Sequence, residues 1–373
     1  GVLGNQAISY YSYQSVLDQA NYSFGGTVVQ GVAPVDGANR NLIWETTETL
    51  NFGLDMGFLG NQYTLSIEGY RKLTYDILMK LPVSTLYGLN APYQNAGKVK
   101  NTGLEITAGY KLNTHGWNFQ VSANAAYNKN EVMDLKNGGA RIWSGKYFNQ
   151  EGYAINSIGG YIAEGLFKTE EEVANSATIP GTDTAPGDIK YRDINNDGKI
   201  DGEDRVYIGN TMPKWTFGLN LFAEWKGLDA TFLFQGAADV QGYLAGPGVV
   251  GEMIGAKGKP SYMYRDCWDA ETNPNGKFPR AFSSYRQNNS IYNPSSFWIV
   301  NSSYLRLKNF QLGYTLPKEW CNMMGISRIR VYYSGQNLLT FTKFDKGFDP
   351  ESPEGGSSYP QVKTNTFGLN ITF

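Results

Sequence analysis

Apolar and polar residues alternate along much of this chain. From Asn51 to Phe58 the apolar positions are Phe52, Leu54, Met56 and Phe58, separated by Asn51, Gly53, Asp55 and Gly57. The same period of two runs through 104–112, 117–127, 217–225 and 367–373, with Phe222 out of step. Alternation this long predicts β-strands with one apolar and one polar face. Such strands exceed the roughly five or six residues usual in globular sheets and match the ~9–11 tilted residues that cross a bilayer. Tyr110, Trp117, Tyr127 and Trp225 close strands, as interfacial aromatics do in membrane barrels, while glycines and small polar residues on the other face suit a watery lumen. A soluble β-sandwich also alternates. Strand length and the loops separate the two.

The connections come in two sizes. Residues 59–62, 113–116 and 226–227 make short ones and 317–327 an intermediate one, whereas 75–101, 131–209, 239–297 and 340–362 are long. Short and long alternate, as periplasmic turns and extracellular loops do in outer-membrane barrels. With the C-terminal strand 363–373 running down, 327–339 and 228–238 run up, and 298–316 and 210–225 run down. From the other end, 46–58 and 102–113 run down and 63–74 and 117–130 run up. Parity then requires zero or two spans in 131–209 and makes 1–13 an upward strand, giving ten or twelve strands. Cys267 falls in an extracellular loop and Cys321 in a periplasmic turn, too far apart for a disulfide, which needs Cα atoms within ~7 Å. His115, in Asn113-Thr-His-Gly116, reads as a turn residue.

Composition narrows the class. Aromatics make up 14% and charged residues 18% of the 373 residues, with a formal net charge of −2. Such a chain is not disordered, and it lacks the basic balance of a nucleic-acid binder. The most apolar long window, around Tyr243–Ala256, is broken by Pro247 and Glu252, so no transmembrane helix is predicted.

One segment has metal-ligand spacing. Asp193, Asn195, Asp197, Asp201 and Asp204 occupy positions 1, 3, 5, 9 and 12 of a calcium-loop template, with Gly198 at the sharp turn and Lys199 offering its backbone carbonyl. Asp rather than Glu at the last position is nearer the dockerin-type variant. A structural calcium clip within 193–204 is the expectation; an unfilled Gly-Asn-Asp turn is the alternative.

Several motifs together resemble the SusC/RagA-like TonB-dependent outer-membrane transporters. They are Asn41-Leu-Ile-Trp-Glu-Thr-Thr47 with Asn51-Phe-Gly-Leu-Asp55, Asn95–Glu105, Gly187-Asp-Ile-Lys-Tyr191 leading into 193–204, and Ile208-Gly-Asn210 with Pro213-Lys214. Tyr304-Leu-Arg-Leu-Lys-Asn309, Gly335-Gln-Asn-Leu338, Phe348-Asp-Pro-Glu351 and Tyr359-Pro360 follow in the same order. The resemblance implies an all-β fold in which residues 1–373 form the C-terminal half, about ten to twelve antiparallel strands, of a ~22-stranded transmembrane barrel. It implies that the plug and the TonB-contacting segment are absent from this chain. The expected partners are the remaining N-terminal barrel and plug, a SusD-like surface lipoprotein lid, the TonB complex through the missing portion, and the bilayer with its lipopolysaccharide. The expected place is the outer membrane of a Gram-negative bacterium.

The implied function is active nutrient import, of oligosaccharides first and peptides as the alternative. Loop aromatics suit sugar stacking or a protein interface. Trp143, Tyr147, Tyr262, Tyr264, Trp268, Tyr285 and Tyr292 are the candidate substrate or lid contacts, and loop 239–297 is the candidate mouth. Two other classes stand beside this one. A soluble β-rich carbohydrate-binding module fits the dockerin-type loop. A glycoside hydrolase needs carboxylates ~5–9.5 Å apart, and the sequence alone does not pair Glu68 with Glu105. No catalytic residue is assigned.

Overall fold

The computed structural model describes residues 2–3, 13–15, 17–244, 262–281, 293–344, 348–352, 359 and 361–373. In chain order the strands are β1 (Val2–Leu3), β2 (Leu17–Phe24), β3 (Thr27–Pro34), β4 (Glu45–Phe58), β5 (Tyr63–Lys80), β6 (Tyr93–Thr114) and β7 (Trp117–Asp134). Short strands follow: β8 (Ile142–Ser144), β9 (Tyr147–Asn149), β10 (Ser157–Gly160), β11 (Ala163–Leu166), β12 (Ile189–Tyr191) and β13 (Val206–Gly209). Then come β14 (Trp215–Trp225), β15 (Leu228–Ala238), β16 (Gln241–Tyr243), β17 (Ile299–Asn301), β18 (Tyr304–Thr315), β19 (Arg328–Thr342) and β20 (Thr364–Thr372).

Ten of these form one sheet in the order β1-β4-β5-β6-β7-β14-β15-β18-β19-β20. Strand β7 pairs directly with β14, so the segment between them adds no strand to this sheet. Of the expected strand 1–13, only Val2 and Leu3 lie in a described strand, paired with Thr46 and Glu45; residues 4–12 are outside the described residues. Two-residue hairpin turns sit where short connections were predicted. His115 and Gly116 have φ of 47° and 79°, and Lys226 and Gly227 have 47° and 85°, the positive values a type I′ turn requires.

The strands are longer than the alternation predicts. Strand β5 runs to Lys80 and β6 starts at Tyr93, so the expected loop 75–101 shrinks to 81–92. Backbone pairing continues there without alternation because loop residues cover the strands: Ala96, Val99 and Val132 are buried. The expected strand 298–316 also divides. Ile299–Asn301 pairs with β16, and the large sheet resumes only at Tyr304.

The chain divides into two compact units, one comprising 1–52, 69–104 and 128–156, the other 53–68, 105–127 and 157–373. In the first unit Val99, Val132 and Leu135 form a core with Ile77, Met79, Ile142 and Ile155. Asn95 of the Asn95–Glu105 motif fastens it. Its side chain accepts from Ile43 N–H (3.0 Å) and donates to the carbonyls of Ile43 and Asp76 (2.8 Å each). The Trp-Glu-Thr motif joins in, since Glu45 accepts from Leu78 N–H at 2.9 Å. The hairpin β2–β3 was not read from the sequence. Its signal was the Gly25-Gly26 pair, both at positive φ.

In the second unit, strand register aligns Trp117, Trp225, Leu228, Tyr314, Val331 and Leu369 in one cross-strand row. A neighbouring row of opposite facing runs Gln120, Phe222, Thr231, Gln311, Ser334 and Thr366. Side chains alternate faces along a strand, so the first row lies on an apolar face and the second on a polar face. Phe222 is out of step because it shares the polar row. The apolar face is open: Phe367 is 82% and Leu369 56% exposed. Cys267 and Cys321 are buried, unpaired thiols.

Candidate functional site

The two long loops of the second unit are tied together at Gly187-Asp-Ile-Lys-Tyr191. Gly187 has φ +89°, and a Cβ there would lie 2.4 Å from Cε3 of Trp268, so only glycine lets that ring approach. The neighbouring Asp188 is fully buried. Its carboxylate accepts from Ala185 N–H (2.9 Å) and from Arg280 Nε (2.9 Å) and Nη2 (3.1 Å). Arg280 N–H in turn donates to Gly187 O at 2.9 Å. A forked guanidinium on a buried carboxylate is strong and directional, so the motif fixes 167–191 against the described part of 239–297. Gln241 makes a second tie: its Oε1 accepts from Asn210 N–H (2.8 Å), and its own N–H donates to Asn210 O (3.0 Å).

A cleft of about 730 Å³ opens beside the first tie, lined in part by Glu170, Arg265, Trp268, Asp269, Thr272 and Arg280. Trp268 is 8% exposed, and its indole N–H has no hydrogen-bond partner among the described residues. Lys168 Nζ stands 5.9 Å from its ring centroid, a cation–π distance. Donors from the Thr272 backbone and hydroxyl hold the Asp269 carboxyl below the usual range. Burial pushes the Cys267 thiol up to about 11, with Asp266 adding to it, so it stays protonated. The cleft thus offers an aromatic edge and charges of both signs.

The other candidate aromatics fare differently. Trp143 and Tyr147 belong to the first unit. Trp143 packs on Phe148 at 5.3 Å, and Arg141 lies 6.0 Å from its ring. Tyr147 carries Lys146 Nζ at 5.0 Å. Tyr262 and Tyr264 lie on the short helix Tyr262–Arg265, their side chains outside the description. Tyr285 and Tyr292 fall outside the described residues.

Two other motifs meet in a buried ion cluster. Arg306 of Tyr304–Asn309 donates through Nη2 to Asp349 (2.9 Å), through Nη1 to Glu351 (2.8 Å) and through Nε to Thr340 Oγ1 (3.0 Å). Lys308 also reaches Glu351 at 3.1 Å. Asp349 further accepts from the N–H groups of Glu351 and Gln361, at 2.9 Å each. Burial alone would raise its carboxyl; these donors outweigh burial and hold it below the usual range. The sequence presented both motifs without linking them, because Arg306 and Asp349 are 43 positions apart.

The segment 193–204 folds as a tight loop. Asp193 accepts from the N–H groups of Asn196 (2.7 Å) and Gly198 (2.9 Å), and the fully buried Asp204 from those of Ile194 and Asp201 (2.8 Å each). Ile200 is buried and its N–H donates to Thr178 O at 3.0 Å, which anchors the loop inward. Lys199 Nζ sits 2.8 Å from Asp201 and 3.4 Å from Asp197. The donor set of carboxylates, an amide and a backbone carbonyl suits a hard cation, but here the side-chain oxygens face loop N–H groups and an ammonium. Among the described residues no three His, Cys, Asp or Glu groups converge as metal ligands.

Comparison with known proteins places this arrangement. The family profile "TonB dependent receptor-like, beta-barrel" matches residues 5–338. TonB-dependent receptor P3 of Formosa agariphila is 31% identical over the whole chain, which covers 38% of that protein. TonB-dependent receptor SusC of Bacteroides thetaiotaomicron is 28% identical, again over the whole chain and 37% of its own length. Among solved structures, the RagAB peptide transporter matches the whole chain and 40% of its own, with TM-score 0.76 and 27% identity. The chain therefore spans about two-fifths of the length of the curated relatives it matches. These relatives are receptors and transporters rather than enzymes. The ten-stranded sheet is antiparallel, and the chain belongs to the TonB-dependent receptor-like β-barrel family.

Proposed function

We propose that this chain is barrel wall from a TonB-dependent importer of a Gram-negative outer membrane. The carrying observation is the two-faced sheet: its apolar row stands open to solvent in the isolated chain, as a lipid-facing surface does, and its other face is polar. A soluble carbohydrate-binding module has no use for an apolar face of this extent. Among the described residues the sheet has β1 and β20 at its edges, and unpaired strand edges are not tolerated in lipid. In this reading further strands of the same barrel pair with both edges. The 131–209 and 239–297 loops lie on the extracellular side, facing a SusD-like lipoprotein lid.

The substrate reading is an oligosaccharide, held among the extracellular loops where the cleft beside Trp268 offers an aromatic edge and polar groups. Peptide is the second reading, favoured by the likeness to the RagAB peptide transporter and by the mixed charges of the Trp268 cleft. Calcium is proposed as a structural clip at Asp193, Asn195, Asp197, Lys199 O, Asp201 and Asp204, displacing the Lys199 ammonium. Purification of the whole transporter from outer membranes of its native host tests the reading. The expected result is detergent-dependent extraction, a co-purifying lipoprotein, and bound glycan or peptide resolved by native mass spectrometry. Recovery as a detergent-free soluble monomer would end it.

A further inference from the structure

The connection between β18 and β19 differs from its neighbours at the same end of the sheet. Those neighbours, 59–62, His115–Gly116 and Lys226–Gly227, are short and rich in glycine and polar residues. This one contains the helix Lys318–Met323. It starts beside the Lys226–Gly227 turn, where Thr315 N–H donates to Gly227 O at 2.7 Å. Trp320, Met323 and Met324 stand at i, i+3 and i+4, the spacing that lines one helix stripe. All three are exposed, at 54%, 80% and 52%, while Cys321 between them is 1% exposed. The helix and its C-cap residue Met324 thus turn Cys321 inward and Trp320, Met323 and Met324 outward. Trp117, Trp225 and Tyr314, exposed aromatics of the apolar face, end their strands at this same rim.

We propose that Trp320, Met323 and Met324 dip into the phospholipid leaflet at this rim, making the turn an interfacial anchor for the barrel. The stripe lies at the rim where an aromatic row ends that faces lipid in the barrel reading, on which this inference rests. Tryptophan partitions to the membrane–water boundary, where its ring is apolar and its N–H is wet. Methionine is flexible enough to fill irregular space among acyl chains. Lys318 carries a charge on an apolar stem that reaches headgroups while the stripe stays immersed. If this periplasmic turn hung away from the membrane, the same three side chains would stand in water.

Spin labels on the whole transporter in phospholipid nanodiscs test this. Trp320→Cys, Met323→Cys and Asn322→Cys are labelled separately, in a background without other reactive thiols, and collisions with oxygen are compared with those of a water-soluble nickel chelate. Labels at 320 and 323 should meet oxygen more than chelate, as a label at Leu369→Cys does. The label at 322 should behave like one in the polar turn at Asn61→Cys. Chelate access at 320 and 323 equal to that at 61 overturns the anchor, as does shielding from both reagents, the signature of a covering protein. If the Leu369→Cys label also meets chelate freely, the barrel reading itself has failed.

Discussion

The large sheet and the loop assembly obey opposite burial rules. In the sheet the large apolar residues point outward, with Phe367 82% exposed. In the loops they point inward: Phe148, Phe167, Ile158 and Ile200 are all essentially buried. One chain thus carries an apolar surface turned outward and an apolar core turned inward. The loops are further secured by buried ion pairs, Asp188 with Arg280 and Arg306 with Asp349 and Glu351. Near the end of the chain the two regimes meet at Arg306, a sheet residue that reaches into a loop.

The largest effect should come from breaking that junction. Arg306→Met leaves the buried Asp349 carboxylate without its cation, beside a Glu351 held by Lys308 alone, and uncovering a buried pair costs about 3–5 kcal/mol. Hydrogen exchange should show Asp349–Ser352 losing protection while β14 and β15 keep theirs. The same contact has a defined acid limit. The folded Asp349 carboxyl titrates below its unfolded value, so its contribution is present above the ordinary carboxylate range and is lost as pH falls through the lower, folded pKa. Protection of this loop should therefore survive to pH values below about 4 before failing.

A matched pair of substitutions separates the two regimes directly. Phe148→Ala removes a ring that is 1% exposed within the first unit, which should cost about 3–5 kcal/mol. Phe367→Ala removes one from the open face, where acyl chains refill the space, and should cost far less. Thermal melts of the whole transporter in bilayers, followed by loop proteolysis, give the ranking. Equal losses at both sites would sink the contrast. Neighbouring positions on β14 sharpen it further. Leu221→Arg places charge on the apolar face and should destabilise by about 2–4 kcal/mol, whereas Asn220→Arg on the polar face should be nearly neutral.

Much of the sheet was legible because a sheet with one apolar and one polar face imposes a strict rule on every second residue. Strand β15 begins and ends at the bounds of the expected upward strand, Leu228 and Ala238. Where loop residues cover the strands the rule lapses, and β5 and β6 grew beyond their predicted ends. The site was less legible. The Gly187–Tyr191 motif was visible, but its role needed Arg280, 92 positions from Asp188. Trp268, a candidate substrate or lid contact, lies mostly buried beside the cleft, because Gly187 lacks the side chain that would have kept it out. Such pairings are set by loop closure over long separations, which no local pattern encodes.

The smallest predicted effect concerns the calcium-type loop, where the two regimes blur because the polar groups are largely exposed. Lys199 Nζ lies between Asp201 and Asp197. Asp201, then Asp197, raises the pKa of its ammonium, and Lys199 in turn lowers that of Asp201. Exposed pairs of this kind add little stability, so Lys199→Ala should leave the melting temperature without calcium unchanged. Yet the ammonium occupies the carboxylates that a calcium ion needs, and the backbone carbonyl that position 7 supplies survives the substitution. Lys199→Ala should therefore bind calcium slightly more tightly than the parent chain, read by terbium luminescence and calcium competition on the whole transporter. Asp193→Ala should abolish the signal in the same assay. A weaker site in Lys199→Ala would mean that the lysine helps to build the loop rather than standing in for the cation.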